Sequence, residues 1–319
     1  MESFEKQLEI RSEKLEMKKN EKLGIGTKML DNESSYWVQS SRCGMKKIFV
    51  LVVSFLIFVS QVSAEELRVI SLYPGHSDNI FAMGGDKILV ALSENDDEDL
   101  LPNLPRLSPR DTAEKFLALK PDVVVTRGFA MRLNPNLYKI LEQAGVKIVN
   151  LDPPLWNYFE DYLKKLAAEL NLDSELAIEK LHSLTKKSQS KGVKIFIEAT
   201  SKEIHTCAPD SWAVNLISLA GGINAASQAK PLRSGSSIAA FGVERVLKSF
   251  ESKNLDIYII QTGAMNHATI KDFYAREWTF ALKNKVKVYE VPEKYLSRPS
   301  LLGLEKGLEM LRKIILESE

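Results

Sequence analysis

Short apolar runs alternate with amphipathic stretches from residue 67 to the end of the chain. The runs predict strands at 67–73, 87–92, 122–126 and 147–151, and again at 194–199, 256–261 and 287–291. The stretches between them have helical spacing, which indicates an α/β protein with mainly parallel sheets. Unbroken apolar runs, such as the one at 123–125, fit strands that are covered on both faces. The pattern therefore predicts two sets of strands.

A long helical region at 157–191 separates the two sets. Its first part carries apolar residues on one helix face, namely Phe159, Tyr162, Leu163, Leu166, Ala167 and Leu170. Ser174 is suited to cap a second helix, which becomes polar after Leu184 and which we predict to run to Lys191. Such a helix would leave one core and cross to another. The predicted organisation is a first lobe at 65–173, a bridging helix at 174–191 and a second lobe at 192–319.

The two halves repeat the same order of features. The sequence PGHS at 74–77 opens a helix that ends in Gly-Gly, and PDSW at 209–212 opens another that also ends in Gly-Gly. Glu114 in the first half and Glu244 in the second each begin a helix that leads into a strand. This repetition suggests a duplicated lobe.

Residues 45–64, MKKIFVLVVSFLIFVSQVSA, have the layout of a secretory signal peptide: two lysines, an apolar core and a small-residue cleavage site. The core of about a dozen residues is too short to cross a bilayer, which takes roughly 20. No cysteine follows directly, so no lipid anchor is expected there. We expect export to the periplasm as a protein that does not span the membrane after cleavage. We predict that residues 1–44 are a doubtful extension that comes from a mis-called start.

Composition narrows the functional classes. The chain has 43 basic and 42 acidic residues, and aromatic residues do not alternate with basic clusters, so nucleic-acid binding is not expected. Cys207 is the only cysteine after the signal segment, which excludes a disulfide within the mature chain and a thiolate metal site. Four scattered histidines do not predict a resident metal site.

Enzyme motifs are also missing from the sequence. No GxGxxG follows a predicted strand, and GxxxxGK[ST], HExxH and GxSxG do not occur. We therefore predict that the chain is not an enzyme and has no catalytic residues.

Five blocks resemble a known family in the right order. The segment RVISLYPGHSDNIFAMGG at 68–85 is similar to the opening of class III periplasmic substrate-binding proteins of ABC importers, which bind ferric siderophores, cobalamin or haem. Further similar blocks lie at 114–128, 141–152, 211–226 and 297–315. The resemblance implies two Rossmann-like lobes joined by a single long bridging helix, with the ligand in the cleft between them.

The resemblance also implies a function and a partner. The chain would capture a metal chelate and deliver it to an ABC permease dimer with its ATPase. No cofactor is implied, because an iron chelate, cobalamin or haem would be the cargo. In this family an acidic residue on each lobe docks onto the permease, and Glu114 and Glu244 match those positions. Without the resemblance, both are ordinary first-turn glutamates favoured by the helix dipole.

Ligand-contacting residues are expected in the loops at the strand ends. A bulky chelate needs flat aromatic surface and a few matched charges. The predicted contacts are Tyr73, His76, Arg127, Phe129, Trp212, Arg233, Tyr295 and Arg298, and the loops also offer Arg132, Met265 and His267. Arginines suit anionic ferric siderophores, so an iron complex is favoured slightly over cobalamin or haem.

Three other functions stay open. The chain could bind a free metal ion, serve as a sensory receptor, or be a secreted two-lobe enzyme. For each predicted contact residue, an ordinary surface or packing position is the alternative.

Overall fold

A computed structural model describes residues 66–318 of the protein. The predicted extension at 1–44 and the predicted signal peptide at 45–64 lie outside the described residues. The first sheet has five parallel strands in the order β3-β2-β1-β4-β5. Their bounds are β1 Val69–Ser71, β2 Leu89–Ser93, β3 Arg106–Leu107, β4 Val123–Thr126 and β5 Lys147–Asn150.

The helices of this part of the chain lie between and after the strands of the sheet. They are α1 Pro74–Ala82, α2 Ala113–Leu117, α3 Gly128–Leu133, α4 Pro135–Gln143 and α5 Phe159–Glu169, with a 3-10 turn at Trp156–Tyr158. Strand β4 is wholly buried, as its unbroken valine run predicts for a strand covered on both faces. We call residues 66–173 the first lobe.

The second sheet is mixed. Its order is β12-β11-β6-β7-β10-β9, and β8 pairs with β6. The strands are β6 Lys194–Thr200, β7 His205–Cys207, β8 Ile223–Asn224, β9 Lys230–Pro231, β10 Ile238–Ala240, β11 Ile257–Thr262 and β12 Lys287–Pro292. Strands β8, β11 and β12 run parallel to β6 or to each other, whereas β7, β9 and β10 pair antiparallel.

We call residues 192–318 the second lobe. Its helices are α7 Trp212–Ala220, α8 Val243–Glu251, α9 Ile270–Tyr274, α10 Glu293–Leu296 and α11 Leu301–Leu316, with a 3-10 segment at Glu277–Leu282. Each strand predicted from the sequence is present. The short antiparallel strands carry little periodic signal, and they were not predicted.

The connecting helix α6, Glu175–Leu184, is shorter than predicted. It ends at Leu184 instead of Lys191, because the polar residues that follow have no apolar face to bury. The chain then pairs its backbone with the end of α7: the amide of Ser188 donates to the carbonyl of Leu219 at 3.1 Å. The bridge is therefore one short helix followed by an extended segment.

The two lobes share a continuous apolar core, and the described residues form one compact unit. Helix α11 contacts α1 of the first lobe as well as α6 and α7. Leu163 and Leu304, which belong to different lobes, are both fully buried in this cluster. Continuous apolar packing of this kind opposes a large separation of the lobes.

The lobes also repeat specific backbone contacts. In the first, the carboxylate of Asp122 accepts a 2.8 Å hydrogen bond from the amide of Arg68, just before β1. In the second, Asp256 accepts one of the same length from the amide of Lys194, at the start of β6. The two Gly-Gly helix ends are likewise equivalent, since Gly85 and Gly222 each donate at 2.9 Å to the carbonyl five residues earlier. The repeated sequence features thus have repeated geometry.

Candidate ligand-binding site

Helix α1, which follows β1, contacts the segment that precedes α11 where the two lobes join. The side-chain amide of Asn79, in α1, donates to the carbonyl of Pro299 at 3.0 Å, and its oxygen accepts from the amide of Leu301 at 3.1 Å. Ligands of parallel α/β sheets bind outside the carboxyl ends of the strands. The candidate site is therefore this junction and the loops around it.

Arg127 lies between two aromatic rings at this edge. Its guanidinium carbon is 4.7 Å from the ring centroid of Tyr73, which follows β1, and 5.5 Å from that of Phe129. Phe129 is 52% exposed, so the arrangement has an open aromatic face. Burial raises the pKa of Tyr73 to about 12, which keeps its phenol protonated at neutral pH. Cation–π contacts hold the arginine in place and leave its N–H groups for an anion.

The turn after β4 places this arginine. Arg127 is the N-cap of α3, and the amide of Gly128 donates to the carboxylate of Asp152 at 2.9 Å. A β-carbon at Gly128 would lie 3.3 Å from both Arg132 and Asp152, so glycine keeps this turn open. The loops after β4 and β5 are thereby fixed to each other.

Arg298 has a different role from the one predicted. Its Nη1 lies 3.3 Å from the carboxylate of Asp78 and 3.7 Å from that of Asp97, both in the first lobe. Lys294 adds a 3.0 Å contact to Asp97. The guanidinium is thus neutralised between the lobes, where it holds them together. Burial raises the pKa of Asp78, and Arg298 opposes that shift.

Asp96 adds a third carboxyl group to this cluster. One of its oxygens accepts from the amide of Ser93 at 2.8 Å, while the other is buried with no hydrogen-bond partner among the described residues. Burial raises the pKa of Asp96 to about 7. The cluster therefore changes charge near neutral pH.

His76 lies in the core of the first lobe and is fully buried. Its Nδ1 is 2.5 Å from the hydroxyl of Tyr162, and its Nε2 is 3.3 Å from the carbonyl of Thr126. Burial lowers its pKa to about 4. Both ring nitrogens of His76 are engaged, so in this structure it offers no free nitrogen to a ligand, and its role as a ligand contact stays a prediction.

Trp212 is also packed away, with 7% of its surface exposed. Its indole N–H donates to the carbonyl of Pro154 at 3.1 Å, and its ring meets those of Trp156 and Phe159 edge-on, with centroids 4.8 Å apart. The predicted stacking platform is instead a contact between the lobes. Trp156, at the rim, is only half-buried.

The remaining predicted contacts are not joined to Arg127, Tyr73 and Phe129, which we call the Arg127 cluster, by any contact recorded among the described residues. Arg233 is exposed between β9 and β10. Tyr295 is half-buried, with the ammonium groups of Lys294 and Lys306 at 5.1 and 5.5 Å from its ring centroid. Within residues 66–318 neither has a hydrogen bond, ion pair or ring contact to Tyr73 or Arg127. Arg132, Met265 and His267 are exposed.

A buried network in the second lobe was missed. Glu198, fully buried on β6, accepts from both Nη atoms of Arg276 at 2.5 and 3.0 Å and from the hydroxyl of Tyr258 at 2.5 Å. It also accepts from the side chain of Asn266 at 3.2 Å. The network anchors the loop that carries Met265 and His267. The sequence did contain an indication of this network, because Glu198 is a single glutamate within an apolar strand and a buried carboxylate needs hydrogen-bond partners.

Glu114 and Glu244 occupy the same position in their helices. Each is the second residue after the N-cap, in α2 and α8 respectively, and each side chain is exposed. A hydrogen bond from Thr112 lowers the pKa of Glu114. Both are therefore accessible acidic groups, one on each lobe.

The described residues contain neither a metal-ligand cluster nor a membrane-spanning helix. Within 66–318 no group of three or more His, Cys, Asp and Glu residues is arranged to hold a metal ion. No helix in the same range is long and apolar enough to cross a membrane.

Comparisons with known proteins give relatives at low identity. No family model matches the chain. The vitamin B12-binding protein of Vibrio cholerae is 24% identical over 194 residues, which cover 56% of this chain and 69% of that protein.

Solved structures share the fold over nearly their whole length. The periplasmic haem-binding protein of Vibrio cholerae matches with a TM-score of 0.60 at 17% identity, covering 77% of this chain and 99% of that one. Its periplasmic vitamin B12-binding protein matches at 0.53 and 22%, covering 79% and 97%. A Staphylococcus epidermidis protein, described as a possible iron-binding (periplasmic solute-binding) protein, matches at 0.61 and 21%, covering 78% and 98%. The chain thus has the two-lobe fold of periplasmic binding proteins, and the resemblance read from its sequence is confirmed.

Proposed function

We propose that this chain is the periplasmic solute-binding component of an ABC importer. It captures a bulky metal chelate between its lobes and delivers it to a membrane permease dimer driven by an ATPase. The observation that carries the proposal is the Arg127 guanidinium held between Tyr73 and Phe129 where the two lobes meet. The shared fold with proteins named for vitamin B12, haem and iron supports it.

The preferred ligand is an iron chelate that carries an anionic group. Arg127 supplies the positive charge, and the exposed face of Phe129 supplies apolar contact. Arg298 no longer counts as a ligand-binding arginine, because Asp78 and Asp97 neutralise it. The preference for an anionic iron complex therefore rests mainly on Arg127.

Cobalamin is the second candidate. The sequence relative named as a vitamin B12-binding protein favours it. Aromatic contact would contribute more to the affinity for cobalamin than the charge of Arg127 does. Loss of Arg127 should therefore weaken the binding of cobalamin less than that of an anionic iron chelate.

Binding to the cleft is tested by tryptophan fluorescence of the purified protein, titrated with ferric siderophores, haem, cobalamin and free metal ions. Trp156 and Trp212 lie at the junction and report on ligand there. Saturable quenching by one chelate class at sub-micromolar concentration is expected. No response to any chelate, or a response to free metal ions alone, would contradict the proposal.

Docking is assigned to Glu114 and Glu244. Their equivalent positions on rigidly connected lobes would set orientation on two permease subunits more than they would set affinity. Replacing both with alanine should abolish uptake of the ligand by cells while its affinity for the purified protein stays unchanged. The exposed Glu142→Ala serves as the control, and a loss of ligand affinity in the double variant would overturn the assignment.

Export belongs to the same proposal. The segment at 45–64 would direct the chain to the periplasm and be removed there, leaving lobes at 65–173 and 192–319 joined through 174–191. N-terminal sequencing of the protein recovered from the periplasm should begin at Glu65. A mature protein that retains residues 45–64 would contradict cleavage.

A further inference from the structure

A groove of about 600 Å³ runs along helix α8 of the second lobe. Its wall includes four cationic side chains, those of Lys194, Lys230, Arg245 and Lys248. They come from β6, β9 and α8, so the fold brings together residues that are distant in sequence. Among the described residues that line it, none is acidic, and serine, asparagine and glutamine side chains make up most of the rest.

Three of these cations form no ion pair within the described residues. No ion pair found within residues 66–318 involves Lys230, Arg245 or Lys248. The fourth, Lys194, donates to the carbonyl of Lys253 at 2.7 Å. Arg245 lies with its guanidinium carbon 6.0 Å from the ring centroid of Phe241, which limits its orientations. In a chain with almost equal numbers of acidic and basic residues, this is a local excess of positive charge.

The first lobe provides an internal comparison. Lys115 follows Glu114 just as Arg245 follows Glu244, but Lys115 forms a 2.5 Å ion pair with Asp111. Arg68, the counterpart of Lys194, is held by the carbonyls of Leu119 and Lys120. The contrast lies at the helix position: Lys115 is paired with an aspartate, whereas no ion pair within residues 66–318 involves Arg245.

We propose that this groove binds a small soluble polyanion, a molecule that carries phosphate or clustered carboxylate groups. The guanidinium of Arg245 and the ammonium groups of Lys230 and Lys248 would pair with its oxygens, and neighbouring hydroxyl and amide groups would donate further hydrogen bonds. The volume lies within the roughly 300–1,000 Å³ of small-molecule sites. Because the groove is concave, it suits a small ligand that fits inside it better than a flat membrane surface.

The groove is separate from the cleft. Lys194 stands at the amino end of β6, whereas the cleft lies at the carboxyl ends of the strands. Both sites can be occupied at once, and the anion site does not depend on the function proposed for the cleft.

Isothermal titration of the purified protein with pyrophosphate, and separately with citrate, tests the proposal. At least one probe should bind saturably at a single site, more weakly as salt is added. Arg245→Ala combined with Lys248→Ala should weaken that binding at least about tenfold. Lys115→Ala, at the matched position of the first lobe, should leave it unchanged. If the double variant does not fold, Lys230→Gln, which lies on an exposed strand, replaces it and should also weaken binding of the anion.

Three results would overturn the proposal. If neither pyrophosphate nor citrate binds saturably, or if Lys115→Ala weakens binding as much as the double variant does, the groove is only diffuse surface charge. Binding to vesicles that contain phosphatidylglycerol, lost in the double variant while neither soluble probe binds, would assign the groove to a membrane surface instead.

Discussion

The first and second lobes begin alike and diverge at the carboxyl ends of their strands. In both lobes an amide at the start of the first strand donates to an aspartate that stands just before the neighbouring strand, Asp122 in one lobe and Asp256 in the other. At the opposite end the first lobe presents Arg127 between aromatic rings, while the second presents a loop anchored on the buried Glu198. The hydrogen bonds between backbone amides and aspartates thus preserve the strand arrangement that both lobes share, whereas the loop residues at the other strand ends differ and give each lobe its own role.

The largest change in stability is expected when the buried Glu198 network of the second lobe is broken. Glu198→Ala leaves Arg276 and Tyr258 without their buried partner, so it should destabilise the protein by about 3–5 kcal/mol. Urea unfolding of the purified protein measures the change. Glu203→Ala, which removes an exposed carboxylate of the same lobe, is the control and should stay within about 0.5 kcal/mol. Equal effects from the two variants would show that the network adds no stability.

Two buried groups of the first lobe should make opposite contributions to the pH dependence of stability. His76 has its pKa lowered from 6.5 to about 4, so its stabilising effect is complete above pH 6.5 and declines as the pH falls toward 4. The loss amounts to about 3 kcal/mol by linkage. Asp96, with its pKa raised from 3.8 to about 7, acts in the opposite direction and loses stability as the pH rises toward 7.

Asp96→Asn separates these two groups. It removes the opposing contribution, so the urea midpoint of this variant should fall more steeply between pH 6.5 and 4.5 than that of the wild-type protein. A midpoint that stays constant over this range in the variant would contradict the buried, neutral His76.

The contact between the lobes should have a smaller effect. Arg298→Ala removes the charged partner of Asp78 and Asp97 and should cost about 2 kcal/mol. Arg233→Ala, which removes an exposed arginine of the same lobe, should change the free energy of unfolding by less than about 0.5 kcal/mol. If Arg298→Ala were as mild as Arg233→Ala, the ion pairs between the lobes would not contribute to stability.

The smallest effect is expected at the matched glutamates. Glu114→Ala and Glu244→Ala each remove an exposed first-turn carboxylate that interacts favourably with the helix dipole, so each should lower the melting temperature only slightly. Thermal unfolding should show nearly equal shifts, since the two residues hold the same helix position. A large shift at one of them would mean that it has a structural role that its counterpart lacks.

The order of strands and helices was predictable from the sequence, because it depends on the local pattern of apolar and polar residues. The valine run of β4 predicted a buried strand with Arg127 directly after it, whereas the contact between Arg127 and Tyr73 came only from the structure. The burial of His76 and Trp212 was not predicted, because Tyr162 and Pro154, which engage them, come from distant segments. Nothing in the spacing of Arg298 indicates that Asp78 and Asp97 neutralise it. The end of α6 at Leu184 was visible as the loss of an apolar face, but the helix was predicted to continue.

The comparison between Arg127 and Arg298 gives the most direct test of this account. Isothermal titration of the ferric chelate that quenches the tryptophans would compare wild-type protein with Arg127→Ala, Arg298→Ala and the exposed control Arg110→Ala. We expect Arg127→Ala to weaken binding at least about tenfold, with Arg110→Ala unchanged and Arg298→Ala affected mainly in stability. Full affinity in Arg127→Ala would contradict the assignment of the ligand to this cluster.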